Sequence, residues 1–215
     1  MSVRKIKKSY RSVTGYFMSR KNKKQLAFES TLEHDFFLTL EFDSSVVLFE
    51  EQPFKLRYEC DGSNRFYTPD ALVHYHNTST VYEVKYKNEL DSDEELRQKL
   101  SCITHQIESE GKYNFMIFTD TTFDPIYLQN LKFLYKFAFL KNTEKFDERF
   151  KSVYENLSDP ISLIDFLYAI NTDSSSHGKI IPYLWHFIAL NPNIIDLTQK
   201  LSMNSPLIKD SLWQK

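Results

Sequence analysis

Apolar residues recur every fourth position at Phe28, Leu32, Phe36 and Leu40, a stripe that predicts an amphipathic helix over about 29–42. Ser30 followed by Glu33 has capping-box spacing at its start. Glu33 lies on the border of the stripe, where a carboxylate can point at a neighbouring sheet; Glu29, one turn earlier, competes for that place. Short β-like runs follow at 46–49, 54–59 and 65–67. The runs 71–75 and 81–85 flank a polar turn, 76–80, and read as a hairpin. A midpoint near Asn77 and Thr78 sets Asp70 roughly opposite Lys85, with Glu83 and Lys85 on one face. A slip of one residue would break that grouping.

A second amphipathic helix is predicted from a capping box at Ser92 and Glu95, with Leu96, Leu100, Ile103 and Ile107 on one face and Gly111 as its stop. The nearly continuous apolar run 113–119 predicts a buried strand. Asp124-Pro125 starts a further helix through about Leu140. Helix, strands, helix, strand, helix makes an α/β (α+β) fold, a mixed sheet flanked by helices. Beyond about Asn142 the pattern turns helical, over 143–157, 160–170 and 181–190, and 193–215 is short and turn-rich. The expected organisation is a basic arm at 1–25, a sheet domain at 26–142, and a small mainly helical, winged-helix-like domain at 143–215.

Composition narrows the classes. Aromatics make up 15% of the 215 residues, enough for a packed core, and four Gly exclude glycine-rich phosphate loops. No apolar run crosses a bilayer, and the basic start leads into no signal core, so no membrane partner is expected. Cys60 and Cys102 have no metal-like spacing and read as ordinary buried or free thiols in a reducing compartment.

The net charge of -2 conceals an asymmetry. Nine of the 27 basic residues (Arg4, Lys5, Lys7, Lys8, Arg11, Arg20, Lys21, Lys23 and Lys24) fall in the first 25, with no acid among them. The remainder therefore carries 18 basic against all 29 acidic residues. A cationic arm on an acidic body suits a polyanion such as DNA; a solvated tail is the plainer reading.

Glu33, Thr68-Pro69-Asp70 and Glu83-Val84-Lys85 carry the chemistry. Phosphodiester hydrolysis needs a hard cation, an oriented water and neutralisation of phosphate charge. Asp70, Glu83 and the Val84 carbonyl supply oxygen ligands for Mg²⁺, with Mn²⁺ as a substitute; Glu33 completes the shell or orients the water. Lys85 places an ammonium beside the water or phosphate. Alone, the short motif is weak: Glu83 and Lys85 also fit a salt-bridged strand face, and Asp70 after Pro69 fits turn chemistry. His74, on the strand face of Asp70, could touch substrate, although a structural role fits it better. His34, His74, His76 and His105, four of the six histidines, lack zinc spacing.

At these residues the chain resembles the TnsA endonuclease family. The matching pieces run in order: Glu29-Ser-Thr-Leu-Glu33-His-Asp-Phe-Phe, Phe42-Asp-Ser-Ser-Val, Glu51-Gln52-Pro53, Tyr67-Thr-Pro-Asp70, Tyr82-Glu83-Val84-Lys85 and Ile117-Phe-Thr-Asp120. Ile181-Pro-Tyr-Leu-Trp-His-Phe-Ile-Ala-Leu190, with 201–207, resembles the family's second domain. The resemblance implies a restriction-endonuclease-like fold and Mg²⁺-dependent nicking of the 5′ strands at transposon ends. It implies a TnsB-like transposase partner that cuts the 3′ ends, and a TnsC-like AAA+ regulator engaged by the C-terminal domain. A bacterial, cytoplasmic and nucleoid-associated location goes with it. Glu33, Asp70 and Lys85 would be core active-site residues; Glu83 falls where some relatives carry Gln. The alternatives are a standalone restriction or repair nuclease, and a non-catalytic DNA-binding assembly factor on a nuclease scaffold.

Overall fold

The structure, a computed structural model, describes residues 13–209. The chain divides into two compact units, at Thr122 and Phe123. That division falls earlier than the expected 142, because the helix after Asp124-Pro125 packs among the C-terminal helices.

The first unit opens with an unforeseen hairpin, β1 (Gly15–Ser19) and β2 (Lys24–Phe28), paired from Gly15↔Phe28 to Ser19↔Lys24. Phe17, Leu26 and Phe28 point into the core. Gly15 is required here: a Cβ would come within 2.5 Å of the Phe28 ring. Helix α1 (Thr31–Phe42) starts at Ser30, whose side chain accepts from the Glu33 amide as the spacing predicts.

A four-stranded sheet follows, built from β3 (Val46–Glu51), β6 (Ala71–Tyr75), β7 (Ser79–Val84) and β8 (Asn114–Phe118) in the order β3-β6-β7-β8. Its last pair is parallel and the others antiparallel. A parallel neighbour needs a crossover, supplied by α2 (Lys87–Ser92) and α3 (Glu94–Ser109). Helix α3 is capped by Asp93, not by the expected Ser92, and Gly111 closes the segment at φ 66°. β8 is an edge strand with Met116 and Ile117 exposed, so the expected burial of 113–119 fails. A continuous apolar run does not distinguish an edge strand from a central one.

Helix α1 covers one face of the sheet. The Phe36 ring lies 5.0 Å from Tyr82 and 4.8 Å from Phe118, and Phe37 lies 5.6 Å from Phe49. On the other face, Leu100, Ile103 and Ile107 of α3 pack with Leu72 and Val81. The same cluster includes a second hairpin, β4 (Leu56–Cys60) and β5 (Ser63–Tyr67). Cys60 and Cys102 are not free thiols but a disulfide, with Cα atoms 5.7 Å apart. Packing of α3 on β4 brings together two residues that sequence spacing leaves unrelated.

The second unit is helical: α4 (Pro125–Tyr135), α5 (Glu144–Glu155), α6 (Leu163–Ile170) and α7 (His177–Leu190). Its core stacks Phe150 on Phe166 at 6.0 Å and sets Phe187 5.5 Å from Phe150. Helix α7 starts at His177, earlier than the expected 181, so Pro182 lies inside it. The one sheet among its described residues pairs β9 (Ile161–Ser162) with β10 (Pro206–Leu207). No described helix is long and apolar enough to cross a membrane.

Candidate active site

The β6–β7 register runs from Ala71↔Tyr82 to His74↔Ser79. Continued outward, it sets Asp70 opposite Glu83 instead of Lys85. The offset from the expected pairing is two residues, so parity is kept and Asp70, Glu83 and Lys85 still share a face.

Asp70 lies just before β6, where its Oδ2 accepts from the Val84 amide at 2.8 Å and sits 3.6 Å from the Lys85 ammonium. Burial, then the neighbouring Glu83 charge, pushes the Asp70 carboxyl up to about 7, against the opposing pull of Lys85. Lys85 follows β7, and its amide is held by the Phe118 carbonyl at 3.0 Å. Its Nζ lies 2.7 Å from Glu83 Oε1 and donates to the Val84 carbonyl at 3.1 Å. Burial alone would lower the Lys85 pKa, but Asp70 and Glu83 outweigh it and hold the group above its ordinary value. Lys85 is therefore a fixed cation and no proton acceptor in this arrangement.

Glu83 is nearly sealed, its side chain 5% exposed. The Tyr67 hydroxyl donates to its Oε2 in a short hydrogen bond, while Lys85 takes Oε1. Both carboxylate oxygens thus have partners. A buried charge is tolerated where it is paired in this way. The geometry makes Glu83 a holder of Lys85.

Glu33 comes in from the first turn of α1. Its Oε2 accepts from the Glu29 amide at 2.8 Å and its Oε1 from the Ser30 hydroxyl at 3.2 Å. Burial raises its pKa against the pull of these hydrogen bonds and of Lys85, and its charge in turn acts on Asp70 and Lys85 without a direct bond. The competing Glu29 instead accepts from the Gln52 side chain at 3.2 Å. Asp70, Glu83, Val84 and Lys85 are thus in contact, with Glu33 beside them in electrostatic range.

Two participants carry no role in the sequence reading, although both stand in its matched pieces. Tyr67 is one, at the head of Tyr67-Thr-Pro-Asp70. Gln52 is the other, with a left-handed backbone (φ 43°) in which its amide donates to the Asp70 carbonyl at 3.1 Å. Its side chain reaches Glu29, so it links the Asp70 strand to the start of α1.

His74 takes the structural role that fits it better, while two of the expected arm cations fall elsewhere. His74 bonds Ser79 at 2.9 Å and Glu50 at 3.2 Å, which is structural duty away from Asp70. Arg20 and Lys21 do not extend on an arm. Buried Glu41 accepts from the Ser19 hydroxyl (2.7 Å) and the Arg20 amide (3.0 Å), and it pairs with the Arg20 guanidinium at 3.3 Å. Lys21 donates to the carbonyls of Asp43 and Val46, and burial lowers its pKa. Lys24 pairs with Glu51 at 3.9 Å, and Lys23 is exposed in the turn. Arg4, Lys5, Lys7, Lys8 and Arg11 lie outside the described residues.

Among the described residues no group of three or more His, Cys, Asp or Glu is arranged to cage a metal. Mg²⁺ rarely uses such a cage; one or two carboxylates, waters and substrate phosphates suffice. The hard oxygens of Asp70, the Val84 carbonyl and Glu33 fit that donor set.

A mixed sheet flanked by helices defines a restriction-endonuclease-like α/β domain, and an aspartate, a glutamate and a lysine gather where two of its strands meet. Residues 43–120 match the TnsA-like endonuclease N-terminal family, and residues 124–197 match the TnsA endonuclease C-terminal family. The chain belongs to the TnsA endonuclease family. Glu33 precedes the matched stretch. No curated protein matches the chain.

Proposed function

We propose that this chain is the Mg²⁺-dependent nuclease subunit of a heteromeric transposase, nicking the 5′ strands at transposon ends. It would act beside a TnsB-like subunit that cuts the 3′ ends and a TnsC-like AAA+ regulator engaged by the C-terminal unit. The convergence of Asp70, Glu83 and Lys85, at 3.6 and 2.7 Å around one ammonium, supports this reading.

Asp70 would hold the ion with the Val84 carbonyl, and Glu33 would complete the shell or orient a water. When bound, Mg²⁺ polarises the phosphate and lowers the pKa of a coordinated water. Lys85, kept cationic by its two carboxylate neighbours, offsets charge developing on the phosphate. Glu83, fixed between Tyr67 and Lys85, aims that ammonium and limits its rotation.

The test is strand-resolved cleavage of transposon-end DNA by the chain together with its transposase partner. Nicks should map to the 5′ strands, require Mg²⁺ or Mn²⁺, and stop in EDTA. Cleavage of the 3′ strands by this subunit, or cutting in EDTA, would overturn the proposal.

A further inference from the structure

We propose that the outer face of the β4–β5 hairpin is a DNA-contacting surface beside the active site, in which Lys55 and Arg57 take phosphates and Phe66 packs on an unstacked base near the cut. The inference rests on the nuclease reading above and names where the substrate lies on it.

Phe66 is 65% exposed, more than any other phenylalanine among the described residues. Burying such a side chain is worth about 1.5–3 kcal/mol, and strand alternation explains why the fold forgoes it here. Tyr67 turns inward to bond Glu83, so Phe66 must turn outward.

Its neighbours are cationic. The Lys55 ammonium sits 4.4 Å from the Phe66 ring centre, and Arg57 is its cross-strand partner. Neither cation has a carboxylate partner among the described residues. Arg57 is steadied by Nε donating to Asn64 at 3.0 Å, which leaves its terminal nitrogens facing solvent. Of the nearby acids, Glu59 is the next residue along the same strand face, opposite Asn64 on the turn side of Arg57, and Asp61 lies in the turn itself. The face is thus basic and aromatic at the end nearer Asp70 and acidic at the end away from it.

Cations interleaved with an exposed aromatic suit a phosphate backbone with an open base. Position favours DNA over a protein partner: three residues separate Phe66 from Asp70, four backbone steps that span at most about 14 Å. Along one DNA strand that is about four phosphates from the scissile one.

The experiment measures fluorescence anisotropy of the full chain in EDTA, where no cutting occurs. The probes are a duplex and the same duplex with a single-stranded gap, each across a salt series. Lys55→Gln with Arg57→Gln should weaken both probes and lower the salt slope by about 0.9 per lost phosphate contact. Phe66→Ala should weaken the gapped probe about fivefold or more and the intact duplex less. Melting curves check that these exposed variants stay folded.

Unchanged affinity and slope in the double variant would overturn the inference. So would an absence of wild-type binding at concentrations on the order of 100 µM, the weak limit of sequence-independent DNA binding. Loss of transposase-partner association with DNA binding intact would assign the face to a protein instead, and would overturn it too. A failure here leaves the nuclease reading standing, because that reading is judged separately by cleavage in the Asp70→Ala variant.

Discussion

Tyr67 and Glu83 are joined by a short, buried hydrogen bond, and Tyr67 lies on the strand that leads into Asp70. The bond ties the end of β5, three residues before Asp70, to β7, which bears Glu83, and leaves the second oxygen of Glu83 to hold Lys85. Tyr67→Phe keeps the ring and removes the donor, leaving a carboxylate oxygen buried without a partner, at a cost of about 1–3 kcal/mol. Turnover of nicking should fall roughly 10–100-fold, as for other residues that orient a metal-site group, while KM for DNA changes little. Full turnover in Tyr67→Phe would show that Lys85 is positioned without it.

Asp70 makes stability depend on pH. Its carboxyl is pushed up to about 7, so the folded chain binds that proton more tightly than the unfolded chain does. The resulting stabilisation is complete below the ordinary carboxylate pKa of about 4 and is lost as pH rises through about 7, a change on the order of 4 kcal/mol. In EDTA the wild-type melting temperature should therefore decline over that range, and Asp70→Asn should flatten the decline. Parallel profiles for the two proteins would contradict the assignment.

The disulfide between Cys60 and Cys102 closes a loop of 42 residues. Such a loop is worth about 2–4 kcal/mol. Protein denatured without reductant should show no thiol reactive to a chromogenic disulfide reagent, and reduction should lower the melting temperature of the first unit. Two reactive thiols before reduction would disprove the bond.

Much of this site could be read from the chain because it is built on short-range periodicity. The stripe through Leu32 and Phe36 marked α1, and the alternation around Asn77 grouped Asp70, Glu83 and Lys85. The grouping survived a register error only because the offset was two residues, which preserves the face. What stayed hidden depends on long-range packing. Nothing local links Tyr67 to Glu83 or Cys60 to Cys102. The clustered charge of Arg20 and Lys21 read as an arm, although buried Glu41 and the carbonyls of Asp43 and Val46 take those cations into the fold. Gln52 stands in the Glu51-Gln52-Pro53 piece, but its role stays hidden, since its left-handed backbone follows from the end of β3 meeting Asp70.

The most direct measurement is the single-turnover rate of 5′-strand nicking by Asp70→Ala, assembled with the transposase partner in Mg²⁺. The rate should fall at least about a thousandfold, the scale of a lost transition-state stabiliser, with partner binding unchanged. An Asp70→Ala protein that nicks at the wild-type rate would place the catalytic centre elsewhere in the chain.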